Sequence, residues 1–179
     1  MSKILVSDVF GYTTALHKLA DGINADLIID PFNGLEMDFE CEADAYTYFM
    51  QNVGLDVYLL KLIDVIKSQV GTSIIGFSVG ASVVWRLVCQ ALPGTINHAI
   101  GYYGSQIRNY VDLEPKTKTS LIFPKCEPHF DVEILKNIVS NKQHVQTIRV
   151  NSLHGFMNAH SDNFEPISYQ KQLSWLQSL

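Results

Sequence analysis

Cysteine is scarce in this sequence: Cys41, Cys89 and Cys126 are the three among 179 residues. They form no CxxC pair, and an odd number without a disulfide pattern is typical of a protein kept in a reducing compartment. No apolar run approaches the roughly 18 residues that a membrane span needs, and the apolar stretch at the start is too short for a signal peptide. We therefore expect a cytoplasmic protein that does not bind a membrane.

Positive charge is also scarce, with 13 lysine and arginine residues against 18 aspartate and glutamate residues. The basic residues are scattered and form no stripe, which argues against a nucleic-acid partner. Apolar residues are abundant: 47% of the chain is hydrophobic and 17% is charged. This balance is typical of an ordered globular protein, and the length suits a single domain over residues 1–179.

Short apolar strands alternate with helical segments along the chain. Strands are predicted over residues 3–7, 26–30, 72–76, 96–103, 119–124 and 145–150. Helices are predicted over residues 12–21, 42–51, 55–69, 79–92 (closed by Pro93-Gly94), 131–140 and 166–178. This order predicts an α/β fold, a three-layer sandwich whose mostly parallel six-stranded sheet is covered by helices on both faces. Ligand sites in such sheets lie at the carboxyl ends of the strands, so the candidate residues are those that follow each strand.

The third strand is followed by Gly76-Phe77-Ser78-Val79-Gly80. A sharp turn from strand to helix needs small residues on both sides, and it lifts the serine oxygen clear of the sheet. The same turn places the Val79 amide at a helix N-terminus, where it can hold an oxyanion. The pattern predicts Ser78 as a nucleophile, whereas a passive serine in a tight turn is the alternative.

The last strand is followed by His154, late in the chain, where this order of elements places a general base. A serine hydroxyl needs such a base at neutral pH. A carboxylate that orients the imidazole is expected after the fifth strand, where Glu127 and Asp131 both stand. Asp131 is also a good N-cap for the next helix, so Glu127 is the preferred candidate. His129 is a weaker alternative base.

The first strand leads into Asp8-Val9-Phe10-Gly11, and in this architecture that loop supplies the second amide of the oxyanion hole. Val9 is the predicted donor, beside Val79. Aromatic residues near the strand ends predict a largely apolar substrate pocket. These residues are Phe10, Phe32, Phe77, Tyr102, Tyr103 and Phe156.

Several of these segments, in this order, resemble the dienelactone hydrolase family of α/β-hydrolases. The segments are Asp8-Val9-Phe10-Gly11, Asp26-Leu27-Ile28-Ile29-Asp30-Pro31, Gly76-Phe77-Ser78-Val79-Gly80, Tyr102-Tyr103-Gly104 and His154-Gly155-Phe156-Met157-Asn158. The resemblance implies a Ser78–Glu127–His154 triad, with the Val9 and Val79 amides as the oxyanion hole.

The sequence departs from that family in three respects. The best-known members use a cysteine nucleophile, where this chain has Ser78, as many relatives do. Members usually begin with an extra strand pair, so a smaller, all-parallel sheet is expected here. Members that act on dienelactones hold a substrate carboxylate with arginines, but this chain has Met157-Asn158 after the histidine motif and no arginine before Arg86. We therefore expect poor activity on carboxylate-bearing lactones, although Arg108 stands close enough in sequence to Tyr103 to reach the site.

The sequence thus predicts a serine hydrolase that cleaves a small or medium carboxylic ester or thioester through an acyl-enzyme. Its expected partner is a small-molecule ester, and no metal or organic cofactor is implied. The alternative is a non-catalytic ligand-binding protein on a degenerate hydrolase scaffold, because the triad acid is a glutamate and the first strand pair is missing.

Overall fold

A computed structural model describes residues 2–90 and 94–179. Within these residues, six strands form one sheet in the order β2-β1-β3-β4-β5-β6, and every neighbouring pair is parallel. The strands are β1 (Lys3–Val6), β2 (Leu27–Ile29), β3 (Thr72–Phe77), β4 (Ile96–Tyr102), β5 (Thr119–Phe123) and β6 (Val145–Arg149). The predicted parallel six-stranded sheet is confirmed.

Helices cover both faces of the sheet, as the alternation predicts. They are α1 (Thr14–Ile23), α2 (Glu42–Asn52), α3 (Gly54–Ile66), α4 (Val79–Val88), α5 (Val132–Ser140) and α6 (Pro166–Gln177). Side chains alternate along a strand, so in β1 Ile4 and Val6 pack with α3 and α4, whereas Leu5 packs with α1 and α6. In the part of the chain that the structure describes, none of these helices combines the length and apolar character needed to cross a membrane.

Local chemistry sets the ends of the helices. The Thr13 hydroxyl accepts a hydrogen bond from the Leu16 amide, so α1 begins at residue 14 rather than 12. Helix α4 ends at Val88, earlier than predicted, and residues 91–93, where its predicted end falls, lie outside the described residues. A short 3₁₀ helix, Ser105–Asn109, follows β4 and was not predicted.

The strand order places a topological switch point at the carboxyl ends of β1 and β3. From β1 the chain adds β2 on one side, and it then crosses to the other side of β1 to form β3. At such a switch point the connections leave in opposite directions, which opens a crevice above the sheet. The end of β1 and the turn after β3 are in close contact here, because Gly80 packs against the carbonyl oxygens of Val6 and Ser7.

Candidate active site

The turn between β3 and α4 carries Ser78 in a conformation that a non-glycine residue rarely adopts, with φ 51° and ψ −114°. The flanking glycines permit the close packing around it. A Cβ on Gly76 would lie 2.6 Å from the carbonyl oxygen of Gly80, and a Cβ on Gly80 would collide with the carbonyl oxygens of Val6 and Ser7. The glycines of the GxSxG pattern are therefore required by backbone contacts within the turn and with the end of β1.

Three predicted side chains form one hydrogen-bonded chain. The distance from Ser78 Oγ to His154 Nε2 is 3.0 Å, and the distance from His154 Nδ1 to Glu127 Oε1 is 2.7 Å. When Nδ1–H donates to the carboxylate, Nε2 is left as the acceptor for the serine hydroxyl. The Glu127 side chain is 7% exposed and that of His154 is 16% exposed, so the chain of contacts is largely shielded from water. The arrangement can remove a proton from the serine hydroxyl.

The loop after β6 holds His154 from several sides. The following residue, Gly155, has φ 87°, a left-handed conformation that suits glycine. The Asn163 side-chain amide donates to the His154 carbonyl at 2.9 Å. The Tyr103 ring lies against the imidazole, with ring centroids 4.8 Å apart. These contacts fix the orientation of the imidazole.

Glu127 reaches His154 from the loop after β5. That loop is joined to the histidine loop because the Lys125 amide donates to the Ser152 carbonyl at 2.8 Å. The Arg149 guanidinium donates to the Lys125 carbonyl at 2.5 Å and strengthens the same connection. Two neighbouring strands thus present the carboxylate and the imidazole side by side.

Asp131, the alternative acid, has a different position. Its carboxylate accepts hydrogen bonds from the Glu133 and Ile134 amides at 2.8 and 3.3 Å, and so it caps α5. His129, the alternative base, is exposed on the wall of the cavity that also contains Ser78 and His154. The structure therefore brings Glu127, rather than Asp131, to the imidazole.

The loop after β1 is organised by the buried carboxylate of Asp8. It accepts hydrogen bonds from the Phe10 amide at 3.0 Å and from the Asn158 side-chain amide at 2.7 Å, so it joins the first loop to the histidine loop. Burial is the largest influence on this group and raises its pKa from 3.8 to about 6. Val9, the predicted oxyanion donor, lies within this loop, and Val79, its predicted partner, is the first residue of α4.

The pKa of His154 is raised above its ordinary value of 6.5. Burial alone would lower it, but the hydrogen bond to Glu127 and the negative charges of Glu127, Glu42 and Asp8 outweigh burial. The surroundings therefore stabilise the imidazolium form. An imidazolium is the species that a general base becomes once it has accepted a proton.

A cavity of about 610 Å³ opens onto Ser78 and His154. Its apolar wall is formed by Tyr46, Pro128, Phe130 and Leu153. Its polar lining includes Glu42, Gln106, Arg108 and Asn163. The volume falls in the range of pockets that hold small organic molecules.

The prediction that aromatic residues at the strand ends line this pocket is wrong. Phe77 ends β3 and packs into the core between the sheet and the helices α1 and α6, because alternation along the strand turns it away from Ser78. Tyr103 lies beneath the imidazole, and the other members are likewise buried among core residues. The residues that were predicted to line the pocket, and that are instead buried, are Phe10, Phe32, Phe77, Tyr102, Tyr103 and Phe156.

Sequence reasoning missed Glu42, the first residue of α2. One of its carboxylate oxygens lies 3.5 Å from His154 Nε2. It follows a long irregular segment after β2, and no periodicity in that segment predicts that it reaches the site. Arg108 does line the cavity, as its position in sequence suggested.

Within residues 2–90 and 94–179, no cluster of three or more histidine, cysteine, aspartate or glutamate side chains is arranged to hold a metal ion.

No protein-family model matches the chain. A Bacillus subtilis protein, named uncharacterized protein YczH, is 35% identical over 137 residues. That match covers 74% of this chain and 66% of the relative, just under two thirds of its length.

Solved structures resemble the whole chain at low sequence identity. A Klebsiella pneumoniae protein, provisionally named a dienelactone hydrolase, is 14% identical with a TM-score of 0.74, covering 99% of this chain and 86% of that one. A dienelactone hydrolase from Anabaena variabilis is 13% identical with a TM-score of 0.70, covering 99% and 84% respectively. The chain therefore has the α/β-hydrolase fold that these structures share.

Proposed function

We propose that this protein is a serine hydrolase that cleaves small or medium carboxylic esters or thioesters through an acyl-enzyme. The observation that carries the proposal is the hydrogen-bonded chain from Ser78 through His154 to Glu127, which opens onto a cavity of about 610 Å³. A nucleophile, a base within hydrogen-bond reach and a group that orients the base are the elements of acyl transfer.

In the first half of the proposed reaction, Ser78 Oγ attacks the substrate carbonyl while His154 Nε2 takes the hydroxyl proton. The carbonyl oxygen becomes an oxyanion, which accepts hydrogen bonds from the Val9 and Val79 amides. The Nε2 proton then passes to the leaving alcohol or thiol as its bond to the acyl carbon breaks. Glu127 keeps Nδ1 protonated and stabilises the imidazolium.

In the second half, a water molecule replaces the leaving group beside Nε2. His154 takes a proton from the water, and the oxygen attacks the acyl carbon of the ester formed on Ser78. Collapse of the second tetrahedral intermediate returns the proton to Ser78 Oγ and releases the carboxylic acid. Atoms and protons balance without a further reactant.

The test is the Ser78→Ala variant, assayed with a p-nitrophenyl ester and with a fluorophosphonate probe. Loss of the nucleophile of such a triad typically lowers kcat by ~10⁴–10⁶, and we expect a loss of that size with an unchanged melting temperature. Ser140, an exposed serine at the end of α5, provides the matched control, since Ser140→Ala should keep full activity and labelling. Wild-type protein that neither labels at Ser78 nor hydrolyses any ester would instead support the ligand-binding alternative.

A further inference from the structure

We propose that Glu42 makes this site select esters by charge, favouring substrates with a cationic group near the scissile bond and rejecting those with an anionic group there. The proposal rests on the hydrolase function proposed above and names the substrate class of the same site. It concerns the leaving-group side of the substrate, because Glu42 stands beside the atom that protonates the leaving group.

The position of the Glu42 carboxylate supports this selection. Its oxygen lies 3.5 Å from His154 Nε2, which itself lies 3.0 Å from Ser78 Oγ. The leaving-group oxygen or sulfur must come within hydrogen-bond distance of Nε2 to receive its proton. A charge a few atoms further along the leaving group is therefore brought close to the carboxylate, whose side chain is 42% exposed and lines the cavity.

The charge of Glu42 has no permanent counterion. Among the described residues, the only basic group within 4.0 Å of its carboxylate is the imidazole of His154. That imidazole is neutral when it serves as the base. A substrate therefore meets a carboxylate that has no cationic side chain beside it when it binds.

Arg108 is the cationic residue that lines the same cavity. Its guanidinium donates to the Ser105 carbonyl at 2.7 Å and lies 5.3 Å from the centre of the Phe130 ring. These contacts hold it to the cavity wall, and no ion pair joins it to Glu42 within the described part of the chain. Outside the triad, the charged side chain beside His154 Nε2 is therefore the negative Glu42.

Three acetate esters test the proposal: the ester of choline, its uncharged 3,3-dimethylbutyl isostere, and the ester of 4-hydroxybutanoate. We expect kcat/KM to fall in that order for the wild-type protein. In Glu42→Gln, the ratio of kcat/KM for the cationic ester to that for the anionic ester should fall at least about tenfold, the value that full screening by water would give for charges about 6 Å apart.

Asp44→Asn is the matched control. Asp44 lies in the same first turn of α2 and carries the same charge, but it does not line the cavity. Both variants lose one negative charge at the same helix N-terminus, so a change in helix stability would affect them alike. Asp44→Asn should keep the wild-type ratio, and fluorophosphonate labelling of Ser78 in Glu42→Gln verifies that this variant is folded.

Two results would overturn the charge selection while leaving the hydrolase function intact. One is an equal ratio in the wild type and Glu42→Gln. The other is a wild-type preference for the anionic ester, which would assign charge selection to Arg108. If the wild type hydrolyses none of the three esters and does not label at Ser78, the hydrolase proposal itself fails, and charge selection fails with it.

Discussion

Glu127 contacts His154 Nδ1 through one carboxylate oxygen at 2.7 Å. In Glu127→Gln the amide can still hydrogen-bond the ring, but it favours the wrong tautomer and does not stabilise the imidazolium. We expect kcat for a neutral ester to fall by about 10⁴, as in the comparable substitution in serine proteases, with little change in melting temperature. Ester hydrolysis rates and a melting curve on the same preparation check both expectations.

Asp131→Ala should have the opposite effects, a loss of stability with little change in kcat. The variant removes the cap of α5 and should lower the free energy of unfolding by about 0.5–2 kcal/mol, while kcat remains close to that of the wild type. An inactive Asp131→Ala variant beside an active Glu127→Gln variant would reverse the assignment of the acid. If both variants keep full activity, neither carboxylate orients the base.

Individual residues of the candidate site could be predicted from their positions after strands, because parallel strands bring the loops that follow them to one edge of the sheet. Ser78, Glu127 and His154 each follow a strand, and the structure places them in contact. Glu42 was not predictable, since it reaches the site from a helix that follows a long irregular loop. Phe77 was assigned wrongly because its place beside Ser78 in sequence conceals that it faces the opposite side of the sheet.

Among the elements, the turn between β3 and α4 depends on close contact with the end of β1. In Gly80→Ala, the added Cβ would collide with the carbonyl oxygens of Val6 and Ser7. Backbone atoms cannot move aside as a flexible side chain can, so we expect a loss of about 1–3 kcal/mol in the free energy of unfolding, together with loss of activity.

Gly34→Ala is the control for the glycine substitution. Gly34 has φ +79°, and a Cβ there would meet no atom within 4 Å, so only backbone strain is added. Chemical denaturation should rank Gly80→Ala below Gly34→Ala in stability, with activity kept only in the latter. Equal stability of the two variants would show that the added Cβ at Gly80 costs no more than the backbone strain at Gly34.

The regular elements were largely predictable because their apolar residues repeat with the period of a strand or a helix. All six strands lie within two residues of their predicted ends. The 3₁₀ helix Ser105–Asn109 was missed because one turn and a half is too short to show a period. It nevertheless contributes Ser105, Gln106 and Arg108 to the cavity.

For the molecule as a whole, stability should depend on pH through Asp8. Its pKa is raised from 3.8 to about 6, chiefly by burial, so the folded state binds this proton more tightly than the unfolded state does. The resulting stability is present below pH 3.8 and is lost as the pH rises through about 6. It amounts to up to about 3 kcal/mol.

Asp8→Asn removes this titration. The difference in unfolding free energy between the variant and the wild type should shift in favour of the variant as the pH rises from about 4 to 7. Urea unfolding at several pH values measures that difference. The pH dependence of groups that do not interact with Asp8 cancels, whereas His154, whose pKa the Asp8 charge raises, also contributes to the difference. A difference that stays constant over this range would show that Asp8 titrates alike in the folded and unfolded chains.

The separation of Ser78 and His154 by 76 positions also sets the time at which reactivity arises during synthesis. The ribosome adds the serine long before it adds the last strand and the histidine that follows that strand. A serine hydroxyl without its base is a poor nucleophile, so an unfinished chain cannot acylate itself on the esters around it. On the proposed mechanism, we expect Ser78 to become reactive only when the last strand joins the sheet.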